Sequence, residues 1–261
     1  MIPPFRRLSM LAVLIFLLVP PGARPGAAED ALVTMVGEGD SLTLDDGREV
    51  RLAGIEVPRP SRGNLGRGNR AIADQARAAV AAAAKGRTLR LVDGGETPDR
   101  HGRFPAHGFV GEVWLQGLLL ERGLARVHTT PGATGTARAA EMLAIEETAR
   151  QAKQGLWELG AFRLHHADDD LEPLAGTFQL VEGVVVQAAR AKGRVYLNFG
   201  PDRRTDFTIE IPAEVLKILR RRGTDPTTWQ GKTIRVRGWL DRHNGPSITL
   251  THPEQIERPG G

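Results

Sequence analysis

The residues best placed to do chemistry lie between positions 39 and 60, in GDSLTLDDGREVRLAGIEVPRP, where Asp40, Arg51, Glu56 and Arg59 punctuate an alternating pattern. Residues 41 to 55 alternate on either side of Asp45-Asp46-Gly47, which reads as two short strands joined by a tight turn. Asp40 starts the first strand and Arg51 lies inside the second. Normal pairing would set these opposite charges side by side at one end of a small sheet, with Glu56 and Arg59 on the loop that follows. Carboxylates can accept protons or hold hard cations, and arginines present fork-shaped donors to anionic oxygens. The ordinary reading of the same residues is structural: Asp40 caps a strand or turn, and Arg51 and Glu56 form a surface pair.

A second group lies far along the chain. Arg235, Arg237 and Trp239 alternate with Ile234, Val236 and Leu240, and Tyr196 stands out of phase with Val195 and Leu197. A basic and aromatic strand face suits either a single-stranded nucleic-acid platform or a contact between domains. Both readings stay open here. The acids Asp168 to Asp170 follow His165 and His166 without periodicity, which fits a polar linker better than a metal site.

These residues must be positioned by a chain of 261 residues, long enough for two domains, with 41% hydrophobic residues to build cores. Residues 1–28 read as a secretory signal peptide: Arg6 and Arg7 precede an apolar run over 8–19, and Gly26-Ala27-Ala28 offers a cleavage site before Glu29. Export to the periplasm or medium is the expectation, with no stable membrane anchor after cleavage. The apolar run is short for a bilayer span. The full net charge is +4, but the signal holds Arg6, Arg7 and Arg24 and no acid, so removing those three leaves +1. Net charge therefore argues little for nucleic-acid binding, and local clusters must carry any such case. With no cysteine, disulfides, thiolate zinc sites and thiol nucleophiles are excluded.

Along the mature chain the pattern predicts a strand over 31–36, the hairpin, and a cationic Gly/Pro/Arg loop over 58–69. A helix over 71–85 follows, with Ile72, Ala76, Ala79, Val80 and Ala83 on one stripe and Gly86 as its stop. Strands are expected over 87–92 and 102–110, a short helix over 118–122, a strand over 124–127, and a helix over 136–154 burying Met142, Ile145, Ala149 and Ala152. The domains are then 29–160 and 174–261, with a linker over 161–173. The second reads as strands over 177–187, 194–199 and 206–211, a helix over 212–222, and strands over 233–241 and 247–251. Three strands, a helix and two strands is the order of an OB-type barrel.

Four separated motifs, GDSLTLDDGREVRLAGIEVPRP, DRHGRFPAHGFV, LLLERGLARV and EETARQAKQGLW, make residues 31–157 resemble the staphylococcal-nuclease-like, or thermonuclease, domain. The resemblance implies an α+β fold, mainly β with helices: a five-stranded OB barrel, here followed by a second OB-like barrel. It also implies calcium-dependent hydrolysis of DNA and RNA phosphodiester bonds. By that likeness Asp40 matches a calcium-holding aspartate, and Glu56 stands at a second calcium carboxylate, one methylene longer. Arg51 and Arg103 match the two arginines that grip the phosphate and stabilise the transition state. Arg59, however, stands where the family places the glutamate that serves as general base or orients water.

Hydrolysis needs a positioned water, neutralised phosphate charge, and a carboxylate or metal to manage the proton. A guanidinium has no acceptor lone pair, so Arg59 can contact phosphate but cannot take a proton. Asp40, Glu56, Arg51, Arg103 and Arg59 sum to +1, where three carboxylates and two arginines would give −1. Calcium binding should weaken and phosphate binding strengthen. The expected protein is an exported thermonuclease-like one that recognises nucleic acid or another phosphate-bearing polyanion, with phosphodiesterase activity weakened or lost. The alternatives are an active calcium-dependent periplasmic nuclease that draws its carboxylate from Glu56, and a non-catalytic binding or scaffold protein using both OB-type domains.

Overall fold

The Asp45-Asp46-Gly47 turn closes as its residue types require: Gly47 adopts φ +83°, its N–H bonds Leu44 O at 3.1 Å, and Asp46 Oδ1 accepts from Arg48 N at 2.9 Å. The computed structural model that contains it describes residues 30–59, 65–202 and 204–258. The expected signal peptide and Arg62 of the cationic loop lie outside the described residues.

The first unit runs β1 (Asp30–Val36), β2 (Ser41–Leu44), β3 (Glu49–Leu52), β4 (Ile55–Glu56), α1 (Leu65–Ala84), β5 (Thr88–Val92), β6 (Phe104–Val110), β7 (Val113–Trp114), α2 (Leu115–Glu121), β8 (Arg126–Val127), α3 (Ala133–Thr136) and α4 (Ala139–Gln151). β1 pairs antiparallel with β2 and β5, β2 with β3, and β5 with β6, while β3 runs parallel to β6. Five strands thereby close on themselves, leaving no open edge in the ring. Its interior holds Val33, Leu42, Val50, Leu52, Leu89 and Ala106, and α1 covers one end with Ile72, Ala76, Ala79 and Val80. The helix starts at Leu65, inside the stretch whose composition predicts a loop, and Gly86 ends it with φ +72°. The long helix expected over 136–154 is instead α3 and α4, with Arg138 at φ +54° between them.

The second unit comprises β9 (His165–His166), β10 (Phe178–Val184), β11 (Gln187–Ala191), β12 (Arg194–Asn198), β13 (Thr208–Ile211), α5 (Ala213–Arg221), β14 (Thr233–Trp239), β15 (Asp241–Arg242), β16 (Pro246–Thr249) and β17 (Ile256–Glu257). It is built as two sheets, ordered β17-β14-β10-β9 and β11-β12-β13-β16-β15, over one core that includes Val195, Phe207, Ile209, Trp229 and Val236. The strand predicted over 177–187 divides because the chain changes partners there: Val185 N bonds Lys232 O at 3.0 Å, and Val186 N bonds Asn198 O at 2.9 Å. The two units share a pairing rule. In each the first core strand pairs antiparallel with the strand after the helix, and the third runs parallel to the last, as β10 with β14 and β13 with β16. The stretch expected as a linker is folded: β9 lies parallel to β10, and Phe162, His165 and Leu171 are buried.

The units are locked along α4 and β8. Arg237, 2% exposed, donates to Glu146 Oε2 at 2.6 Å, Glu257 Oε1 at 2.7 Å and Val127 O at 2.9 Å. Arg235 reaches Glu147 and Glu182, each at 2.8 Å. Thr129 Oγ1 meets His252 Nε2 at 2.7 Å. A buried charge needs such complete pairing, because one left alone in the interior is very costly.

Candidate functional site

The register of the first hairpin does what its charge pattern suggests. Ser41 faces Arg51 across β2 and β3, which brings Arg51 Nε to 3.8 Å from Asp40 Oδ2. Asp40 is 1% exposed, and burial raises its carboxyl pKa despite the opposing pull of Arg59, Arg51 and Arg103. Its Oδ1 is buried with no hydrogen-bond partner among the described residues, as is Arg51 Nε. Oδ2 is approached by a second cation: Arg59 Nη2 lies 3.5 Å away, while Arg59 Nε donates to Glu38 Oε2 at 3.0 Å.

Arg103 is fixed by its own turn. Asp99 Oδ2 accepts from Arg103 Nε at 3.0 Å and Nη2 at 2.8 Å, and Asp99 Oδ1 accepts from His101 N at 2.8 Å. Burial would raise the Asp99 carboxyl, but these donors hold it at about 2. Gly102 permits the turn with φ +80°.

Glu56 is not free. Its Oε2 accepts from Arg126 Nη2 at 2.9 Å, and Arg126 also donates to Phe178 O at 2.9 Å with its guanidinium 4.9 Å above the Phe178 ring. The Arg126–Glu56 pair therefore ties the site to the second unit. Beside it lies His128, whose imidazole burial pushes down to about 4, with Glu56 opposing and Arg51 and Arg126 assisting.

Arg51, Glu56, Arg59, Arg103 and His128 line one cleft of about 950 Å³, and Trp239 of the second unit lines it with them. Asp40 sits beneath, against Arg51 and Arg59. The structure thus brings together all five site residues of the first domain. It does not bring together the four residues of the accessory face. Arg235 and Arg237 turn into the contact between the units, Tyr196 lies on the other sheet beside a separate cavity, and only Trp239 faces this cleft. Glu38, Arg126 and His128 were missed in the sequence. Glu38 stands two residues from Asp40, and Arg126 and His128 belong to the GLARVH run, so proximity to the motifs was the available signal.

Residues 49–159 match the family model described as Staphylococcal nuclease homologue, and the barrel that surrounds them is closed by five strands. This stretch fits an SNase-like domain. The match to the SNase-like domain spans Arg51, Glu56, Arg59 and Arg103 and begins after Asp40, although β1 and β2 complete the same barrel. No curated protein matches the chain.

The SNase-like domain can offer anionic oxygens several donors. Arg51 Nε has no hydrogen-bond partner among the described residues, and Arg103 has Nη1 in reserve. No cluster of three His, Asp or Glu side chains forms a metal centre among the described residues.

Proposed function

We propose that this protein recognises phosphate groups, as in a nucleic acid, through a thermonuclease-like site whose phosphodiesterase activity is weakened or lost. The observation that carries the reading is Arg59. Its guanidinium is bonded to Glu38 and stands 3.5 Å from Asp40, so a fixed cation occupies the surroundings of the carboxylate that the family likeness assigns to calcium. Calcium asks for six to eight oxygen ligands. Here Asp40 is bordered by Arg51 and Arg59, and Glu56 is held by Arg126, so this donor set does not fit the ion. Arg51 and Arg103 remain suited to phosphate oxygens by their fork geometry.

The test is hydrolysis of single-stranded DNA with calcium, wild type beside Arg59→Glu. Wild type should show little calcium-dependent cleavage, and the variant should gain on the order of 10²-fold or more, the usual range for a general base. Equal calcium-dependent turnover by both proteins would sink the reading. A nucleotide bisphosphate should raise the Tm of the wild type in the presence of chelator, because phosphate binding here needs no metal.

The same proposal places the protein outside the cytoplasm, on the strength of the basic start, apolar run and small-residue site in residues 1–28. Among the described residues no helix is long and apolar enough to cross a membrane. N-terminal sequencing of the protein from its native host should begin at Glu29; recovery of the intact N-terminus would overturn export by cleavage.

A further inference from the structure

Trp239 is 57% exposed at the end of β14, while the other three tryptophans of the chain are buried. It lines the 950 Å³ cleft opposite the arginines of the first domain. It also lines a second cavity of about 610 Å³ along the junction of the two units, which includes Thr130, Thr249 and Gln255. His128 and Trp239 border both cavities, so the two adjoin at the indole and together form the groove between the units.

Among the described residues, one ring braces the indole. Phe178 meets it edge-on, with centroids 6.1 Å apart and planes at 76°, and Phe178 in turn packs against His128 at 4.7 Å and carries Arg126 over its ring. A braced aromatic plate with an open side, next to guanidiniums, is the arrangement on which an unpaired base stacks while its phosphates are gripped. Around Trp239 the lining is mixed: Pro131, Phe178 and Leu240 stand among threonines on one side, and Arg51, Arg59 and Arg103 lie on the other, so aromatic surface and cationic donors for phosphate meet at the indole. A duplex hides its base faces, so the occupant must be single-stranded.

We propose that the groove between the two units binds single-stranded nucleic acid, with Trp239 stacking a base and Arg51 and Arg103 holding its phosphate. This rests on the phosphate reading above and adds the second unit as half of the site. In that arrangement the Arg235 and Arg237 ion pairs act at one remove, by holding β14 and therefore Trp239 across from the arginines.

The experiment is fluorescence anisotropy of a labelled oligothymidylate of about ten nucleotides, within the usual span of such sites, titrated with the full mature chain in chelator. Wild type should bind, with quenching of indole emission. Trp239→Ala should weaken binding roughly ten- to hundredfold, and Trp239→Phe, which keeps a ring, should lose only about threefold. Thermal melting of each variant checks that it is folded. Trp239→Ala binding as tightly as wild type would overturn the groove, as would equal binding of a duplex of the same length. A nucleotide bisphosphate assayed in parallel separates the two levels. If it stabilises the wild type while the oligonucleotide ignores Trp239, only the groove fails; if neither probe binds, the phosphate reading and the groove fail together.

Discussion

At the scale of single residues, the chain handles its buried charges by saturation. Arg237 is wholly enclosed, and although burial alone would lower its pKa, Glu146 and Glu257 override that and leave it firmly protonated. Glu146 spends its other oxygen on Val127 N at 2.6 Å, so each member of the group is bonded on more than one side. Replacing Arg237 by Met would strand these carboxylates. The expected loss is about 3–5 kcal/mol of unfolding free energy, read from urea denaturation. Arg237→Met with Glu146→Gln should recover part of it, because the glutamine carries no charge to strand and can still accept from Val127 N. Arg59 differs from this group in being half exposed, and its pairing with Glu38 and Asp40 contributes less to stability than to the charge of the site.

At the scale of elements, two glycines decide how the end of α2 meets the chain after α4. Gly123 has φ +61°, and a Cβ there would sit 2.1 Å from Gln154 O; Gly155 has φ +54°, and its Cβ would fall 2.4 Å from Gly123 O. Leu156 N donates to Gly123 O at 2.8 Å across this crossing. Either glycine changed to alanine meets both a left-handed backbone and a rigid carbonyl. Gly123→Ala should therefore cost more than the roughly 1–3 kcal/mol typical of backbone strain alone, measured as a fall in the urea midpoint. Nothing in the neighbouring sequence of either glycine marks this crossing. The stripe Ile72, Ala76, Ala79 and Val80 was legible because a helix against a barrel needs one apolar face, and those four are indeed buried. The start of α1 at Leu65 was not, since glycines and arginines there carry no periodic signal.

At the scale of the whole molecule, titration reports how much of the chain is enclosed. His107, His128, His165 and His252 all have their pKa values lowered, burial being the main cause in each. A folded pKa below the ordinary 6.5 means that the unfolded chain takes up protons first, so the stability contributed by neutral histidines is present above about 6.5. It is lost as pH falls, through about 4 for His128. Asp99 and Glu147, each held at about 2, add losses of the same sign below the ordinary carboxylate range. Asp40 acts in the opposite direction, since protonation relieves a carboxylate whose pKa is raised. Unfolding by urea should show its highest midpoint near pH 7 and a steady decline towards pH 4. A flat profile over that range would contradict the burial of the histidines.

Sequence alone determined the hairpin, the stripe of α1 and the Asp40–Arg51 proximity, because each depends on neighbours in the chain or on a two-residue or 3.6-residue period, whereas the reading of Arg59 as standing at a base position rests on family likeness. The pairing of β3 with β6, which brings Arg103 to the same cleft as Arg51, was visible only through family likeness. Tertiary structure alone decided where the arginines of β14 point. Alternation places Arg235, Arg237 and Trp239 on one side of a strand, but a strand's two faces are equivalent until something packs against one of them. Here α4 supplies Glu146 and Glu147, so the two arginines are drawn into the interface, while Trp239, beyond the reach of those carboxylates, is left facing the cleft. Contacts between residues more than a hundred positions apart, such as Thr129 with His252, have no local signature, and they set the second unit against the first.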